Sequence, residues 1–267
     1  MNRLMHSVVR GILCALGMLG GHTTECALAG AITGTVTYRG PAVDEEFAPT
    51  KSPNADYCAT LAKSKPELFR KNGEIRFLRT IDVRENGALK DAVVSVRELV
   101  DNAFMARFSG TEIVIQQCLF QPYTSVVVDK RNFRVVNLDP TNHAVAQAVM
   151  HNPHGFEVAG PASRTLFNIA LAAKDAELNR PVALRSLVQG STIKLVCDQH
   201  PYMQSWFLPV TNPYYAISRS DGRFEIQQVP AGKRQLRVWH PRIGSLDIEI
   251  LVPSEGSVHV DLELPVK

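Results

Sequence analysis

Residues 197–203 read Cys-Asp-Gln-His-Pro-Tyr-Met. A thiol, an imidazole and a thioether therefore stand at Cys197, His200 and Met203, spaced C-x2-H-x2-M. These are the soft donors that hold copper in a trigonal site with a weak axial sulfur. A loop this short between two strands can aim all three side chains into one pocket. It also limits how far the pocket relaxes when the metal changes oxidation state. Such a site takes a second histidine from elsewhere in the chain. His143, which follows a strand-like run at 133–136, is the candidate. His151 and His154 form an H-x2-H pair on a Pro-containing loop and offer a replacement for His143 or an accessory metal site.

Those side chains need a frame that brings distant loops together. Short runs rich in β-branched and aromatic residues recur at 32–38, 92–99, 111–120, 125–128, 133–136, 165–171, 192–196 and 205–208. A helical period is confined to the short stretch 144–150, and a short helix is expected around 58–63 in an otherwise loop-rich segment at 42–72. Many short strands without alternating helices predict an all-β sandwich. From 215 onward the runs 215–218, 224–229, 235–239, 246–252 and 258–264 are separated by turns at Ser220-Asp221-Gly222 and Pro230-Ala231-Gly232. They predict an antiparallel meander of its own. The expected organisation is a leader at 1–29, an N-terminal strand and loop-rich extension at 30–89, a sandwich at 90–207 and a β module at 208–267.

The leader rests on Arg3 and Arg10 ahead of an apolar run at 11–20, closed by Ala27-Leu28-Ala29. This is the pattern of a secretory signal peptide cleaved after Ala29. The run is too short for a span, which needs about 20 residues, and no later stretch is long and apolar enough. A periplasmic or secreted protein without a membrane span is expected. Composition agrees: 45% apolar and 21% charged residues over 267 positions describe a globular chain. A net charge of +3 is too small for a nucleic-acid footprint. Hydrolase motifs of the G-x-S-x-G and H-E-x-x-H types are absent, so no enzyme is expected.

At residues 197–203 the sequence resembles the ligand loop of the cupredoxins, closest in spacing to the amicyanin type. Cys118-Leu119-Phe120, Val135-Val136-Asn137 with Asp139 and His143, and Thr165-Leu166-Phe167-Asn168-Ile169 extend the likeness to a periplasmic cupredoxin-like group that includes methylamine utilisation proteins. The C-terminal part is similar to the carboxypeptidase regulatory-like, or transthyretin-like, module, through Asn212–Ala216, Ser220–Phe224, Val229–Gly232 and Arg237–His240. The resemblance implies a Greek-key sandwich fused to a small antiparallel module, one type 1 copper ion, and electron transfer to a transient redox partner protein. The ligand set it implies is His143, Cys197, His200 and Met203. Cupredoxins usually carry Asn directly after the first histidine ligand, whereas Ala144 stands here.

Loss of the leader removes Cys14 and Cys26 and leaves Cys58, Cys118 and Cys197. With Cys197 on a metal, Cys58 and Cys118 are expected to form a disulfide in an oxidising compartment, contributing on the order of 4 kcal/mol. His200, flanked by Pro201, Tyr202 and Trp206, is expected near the surface as the route for electrons. Two other functions fit the same residues. One is copper storage or delivery without redox turnover. The other is a metal-free sandwich that presents loops to a partner.

Overall fold

Alternating inward and outward side chains, the mark of half-buried strands, run through Thr111–Gln116 and Thr192–Cys197. The computed structural model describes residues 28–48, 55–142, 147–187 and 190–266. The expected signal segment at 1–27 and His143 fall outside the described residues, as does the side chain of Cys58. The described chain is all-β, with strands dominating two short α-helices.

Two sheets enclose the core beneath the ligand loop. One has five strands in the order Ala162–Asn168, Pro153–Ala159, Thr192–Cys197, His200–Pro209 and Thr124–Val127, antiparallel except for the last pair. The other has four strands, Glu177–Pro181, Asn132–Asn137, Thr111–Gln116 and Leu119–Gln121. Ile113, Ile115, Phe133 and Val135 from the second sheet meet Ile193, Leu195 and Phe207 from the first, all fully buried. The Phe133 and Phe207 rings cross edge to face at 4.9 Å, a favoured aromatic geometry. Pro153–Ala159 and Glu177–Pro181 are strands that the sequence reading lacks. In the first, Pro, His and Gly dilute the apolar alternation; in the second, charged residues do.

The second unit is discontinuous in sequence. Val93–Val96, expected to open the sandwich, lies between Tyr215–Ile217 and Gly232–His240, and Gly244–Val252 completes that sheet. Ala29–Tyr38 is flanked by Arg223–Pro230 on one side and by Ser257–His259 and Leu262–Leu264 on the other. Ile32, Val36, Val94, Phe224, Ile226, Leu236 and Val238 share its core. The expected boundaries at 90 and 208 therefore put strands that pair with one another into different units, because pairing across nearly two hundred residues leaves no local period to read. Close approach is needed at Gly34, where a Cβ would lie 1.7 Å from the Val260 carbonyl oxygen.

Between the first strand and Val93, the chain builds a small antiparallel sheet rather than loop alone: Val43–Phe47, Ile75–Ile81 and Phe69–Arg70. The helix expected at 58–63 is present as Ala55–Ser64. This extension lies against the strand His200–Pro209 and places Phe47, Tyr57 and Leu78 on the core under the ligand loop. No helix among the described residues is long and apolar enough to cross a membrane.

Candidate metal centre

Cys197 ends one strand and His200 begins the next, and the two residues pair across the turn at Asp198-Gln199. A register shift at Val196/Cys197 lets the turn close so tightly. On its other side Cys197 pairs with Pro153. Cross-strand partners share a face, so Cys197 points inward with the buried Pro153. Its sulfur lies 3.5 Å from His200 Nδ1.

His151 brings the second imidazole. Its backbone is fixed in both directions by Leu171: the His151 N–H donates to the Leu171 carbonyl at 3.1 Å, and the Leu171 N–H donates back at 2.7 Å. His151 Nδ1 faces the Cys197 sulfur at 4.0 Å, and the two imidazole rings stand 4.9 Å apart. His151, Cys197 and His200 form a buried group whose donor atoms all lie within 4.8 Å of one another. Met203 is fully buried in the same core, three residues after His200.

The sulfur environment favours thiolate. Burial pushes the Cys197 thiol up, but the His151 and His200 imidazoles facing it pull harder, and its pKa falls to about 6. The Asn152 N–H also donates to this sulfur at 3.4 Å. For His151, burial works against the charged ring. The Asp139 carboxylate and the Cys197 sulfur outweigh burial and hold its pKa above the ordinary histidine value. Two imidazoles and a thiolate in a dry pocket are a donor set that fits copper.

Behind His151 stands Asp139, 1% exposed. Its Oδ2 lies 3.0 Å from His151 Nε2 and accepts the Cys118 N–H at 2.8 Å. Its Oδ1 accepts the Gln117 N–H at 2.5 Å and the Tyr57 hydroxyl at 2.9 Å. Burial raises the Asp139 carboxyl, and the donors from His151, Cys118 and Tyr57 reverse the shift and leave it below the usual carboxylate range. Asn137 holds this loop in place. Its side-chain Oδ1 accepts the Asp139 N–H at 3.0 Å, and its Nδ2 donates to the Val149 carbonyl at 2.8 Å.

The structure thus brings Cys197, His200 and His151 together, with Met203 buried in the same core, while His143 falls outside the described residues. His154 does not converge on the group. It pairs with Val196 on the outer face of the sheet, where Asp198, Thr165 and Asn168 engage its ring. Strand alternation turns the His154 side chain to the face opposite that of Pro153 and Cys197. No disulfide is present among the described residues, and the expected Cys58–Cys118 pairing lies outside them because the Cys58 side chain does.

The surface position expected for His200 is also corrected. His200 is 0% exposed, and Tyr202 is buried beside it. Phe47 from the extension packs on Tyr202 at 5.1 Å between ring centroids, and the Arg76 guanidinium stands 5.8 Å from the Tyr202 ring. Trp206 instead lies under Lys194 at 5.2 Å, with its indole N–H on Gln204 Oε1. The apolar exit patch is consequently absent at this histidine.

Sequence reasoning missed His151 as the primary partner although a signal was present. His151 stands in the sequence only as half of the H-x2-H pair with His154, read as a replacement for His143. It also missed Asp139 and Tyr57, because no spacing rule links a loop carboxylate to a helix hydroxyl 82 positions away.

No protein-family model and no curated protein match the sequence. Solved structures that it is similar to include cupredoxins and a copper enzyme, over part of the chain and at low similarity. A purple cupredoxin from Nitrosopumilus maritimus aligns with a TM-score of 0.28 and 16% identity, covering 38% of this chain and 99% of that one. A reduced Cu(I) form of an amicyanin variant aligns with a TM-score of 0.28 and 15% identity, covering 44% and 98%. A copper-containing nitrite reductase from Thermus scotoductus SA-01 aligns with a TM-score of 0.29 and 13% identity, covering 39% of this chain and 23% of the reductase. The chain thus spans under a quarter of the reductase's length.

Proposed function

We propose that the chain is an exported copper-binding protein whose single ion is of the type 1 kind and serves electron transfer. The observation that carries this reading is the buried convergence of His151 Nδ1, Cys197 Sγ and His200 Nδ1. His151, Cys197 and His200 would hold the ion, with Met203 as the weak axial sulfur. When bound, copper supplies a one-electron couple between Cu(II) and Cu(I). The remaining work belongs to the chain. Burial excludes water from the donors, the two-residue turn fixes Cys197 against His200, and the Leu171 backbone pair fixes His151. Such preorganised donors limit rearrangement between oxidation states. The chain would act as a carrier with a transient protein partner rather than as an enzyme. Export is supported by the n-region, apolar run and A-x-A pattern at 1–29.

One observation favours the second reading, copper storage or delivery. His200 is sealed from solvent, so an ion there would exchange slowly. Voltammetry of the copper-loaded protein separates the two. A reversible couple supports the electron carrier, and tight Cu(I) binding without a reversible couple supports storage. A protein that takes up no copper rejects both.

A further inference from the structure

Asp139 lies outside the donor group and yet joins His151 to the extension helix and to the 117–118 turn. Its carboxylate accepts four hydrogen bonds, from the Tyr57 hydroxyl and the Gln117 N–H on Oδ1, and from the Cys118 N–H and His151 on Oδ2. A carboxylate offers about four lone-pair directions. All are used at Asp139. The donors themselves are unusual. Gln117 and Cys118 both hold positive φ, 56° and 52°, in the hairpin turn between Thr111–Gln116 and Leu119–Gln121. Side-chain-bearing residues rarely adopt this conformation twice in succession. Their two amide N–H groups converge on one carboxylate, which repays the strain of the turn.

The hydrogen bond to His151 fixes a tautomer. An acceptor-only carboxylate 3.0 Å from Nε2 requires the proton on Nε2. In the neutral ring the Nδ1 lone pair is then left facing Cys197 and His200. An anionic partner on the far nitrogen also makes an imidazole a stronger donor. We propose that Asp139 is the positioning residue of this centre: it holds His151 in its ligating tautomer, sets its donor strength, and links it through Tyr57 to the extension helix Ala55–Ser64. This rests on the copper reading above for its redox consequence, but not for the tautomer.

Two substitutions should act in opposite directions. Asp139→Asn keeps the shape and removes the anion, so His151 becomes a weaker donor and the Cu(II)/Cu(I) potential rises. Tyr57→Phe removes one competing donor from the carboxylate, leaving more negative charge on His151, so the potential falls. A merely structural role for both residues does not produce shifts of opposite sign. Potentials are read by voltammetry on the copper-loaded full chain, with copper stoichiometry as the control for site integrity. Opposite shifts support the proposal, whereas no shift, or shifts of one sign, overturn it. If Asp139→Asn does not fold, or the wild-type chain takes up no copper, nitrogen-15 NMR of the metal-free wild-type and Tyr57→Phe proteins decides. At a pH where the His151 ring carries a single proton, that proton on Nε2 in the wild type, with a resonance that shifts in Tyr57→Phe, supports the proposal, and a proton on Nδ1 with Nε2 bare overturns it. Failure of copper uptake alone counts against the copper reading, because the tautomer is measured without metal.

Discussion

Phe47 and Tyr202 stack with ring centroids 5.1 Å apart, joining the extension to the strand that begins at His200. Tyr202 in turn lies edge-on to the His200 ring at 6.2 Å. The extension therefore acts as a cover over the donor group, and access to the ion should require local opening of this contact. Replacing Phe47 with Ala should speed removal of copper by a strong chelator on the order of tenfold, which corresponds to about 1.4 kcal/mol of closing free energy. The time course of chelator uptake checks this, with the exposed Leu251→Ala as a control expected to leave the rate unchanged.

The discontinuous second unit gives a stability test. Gly34 sits where any Cβ meets the Val260 backbone carbonyl, which cannot move aside as a flexible side chain could. Gly34→Ala should lose about 1–3 kcal/mol in denaturant unfolding, as overpacked sites do. Unchanged stability would mean that the N-terminal strand does not lie between the C-terminal strands.

His240 supplies a pH dependence away from the donor group. Burial lowers its pKa to about 4, with a smaller push from Arg242. In the unfolded chain the imidazole titrates near its ordinary value of about 6.5. The stability is thus fully present above that value. As pH falls, the unfolded chain takes up a proton first and the folded chain resists, so stability drains away between about 6.5 and about 4. The loss over this window is about 3 kcal/mol. His240→Phe should flatten the stability curve there, whatever its effect at neutral pH. Equal slopes for the two proteins would contradict this.

How much of this was legible in the residues follows from range. Cys197 and His200 are three apart and bound to one turn, so spacing alone exposed them. The all-β class was legible because period-two alternation is local. The second histidine was harder, since His143 follows a strand-like run whereas the stretch before His151 has a short helical period. The backbone pair between His151 and Leu171 that orients the second imidazole is an isolated bridge outside the strands, which no strand pattern marks. Asp139 and Tyr57 meet only because the extension folds back over the sandwich, and nothing in either segment's pattern announces the other. The same holds for Ala29–Tyr38, whose partners lie at the opposite end of the chain.

The Cys197 thiolate should be the source of colour. Cys197→Ser should abolish the intense visible thiolate-to-copper absorption and weaken copper binding at least about tenfold, since a hydroxyl is a poor soft donor. Absorption spectra and competition with a chelator of known affinity check both parts. Undiminished colour would assign the band to another sulfur.

The most direct measurement is a copper titration of the full chain followed by visible absorption, run beside His151→Ala and His143→Ala. The expected result is one copper per chain with a strong charge-transfer band in the wild type and in His143→Ala, and its loss in His151→Ala. A band that survives in His151→Ala, or a wild-type protein that stays colourless and copper-free, would contradict the assignment of His151, Cys197 and His200 as the ligands of a type 1 site.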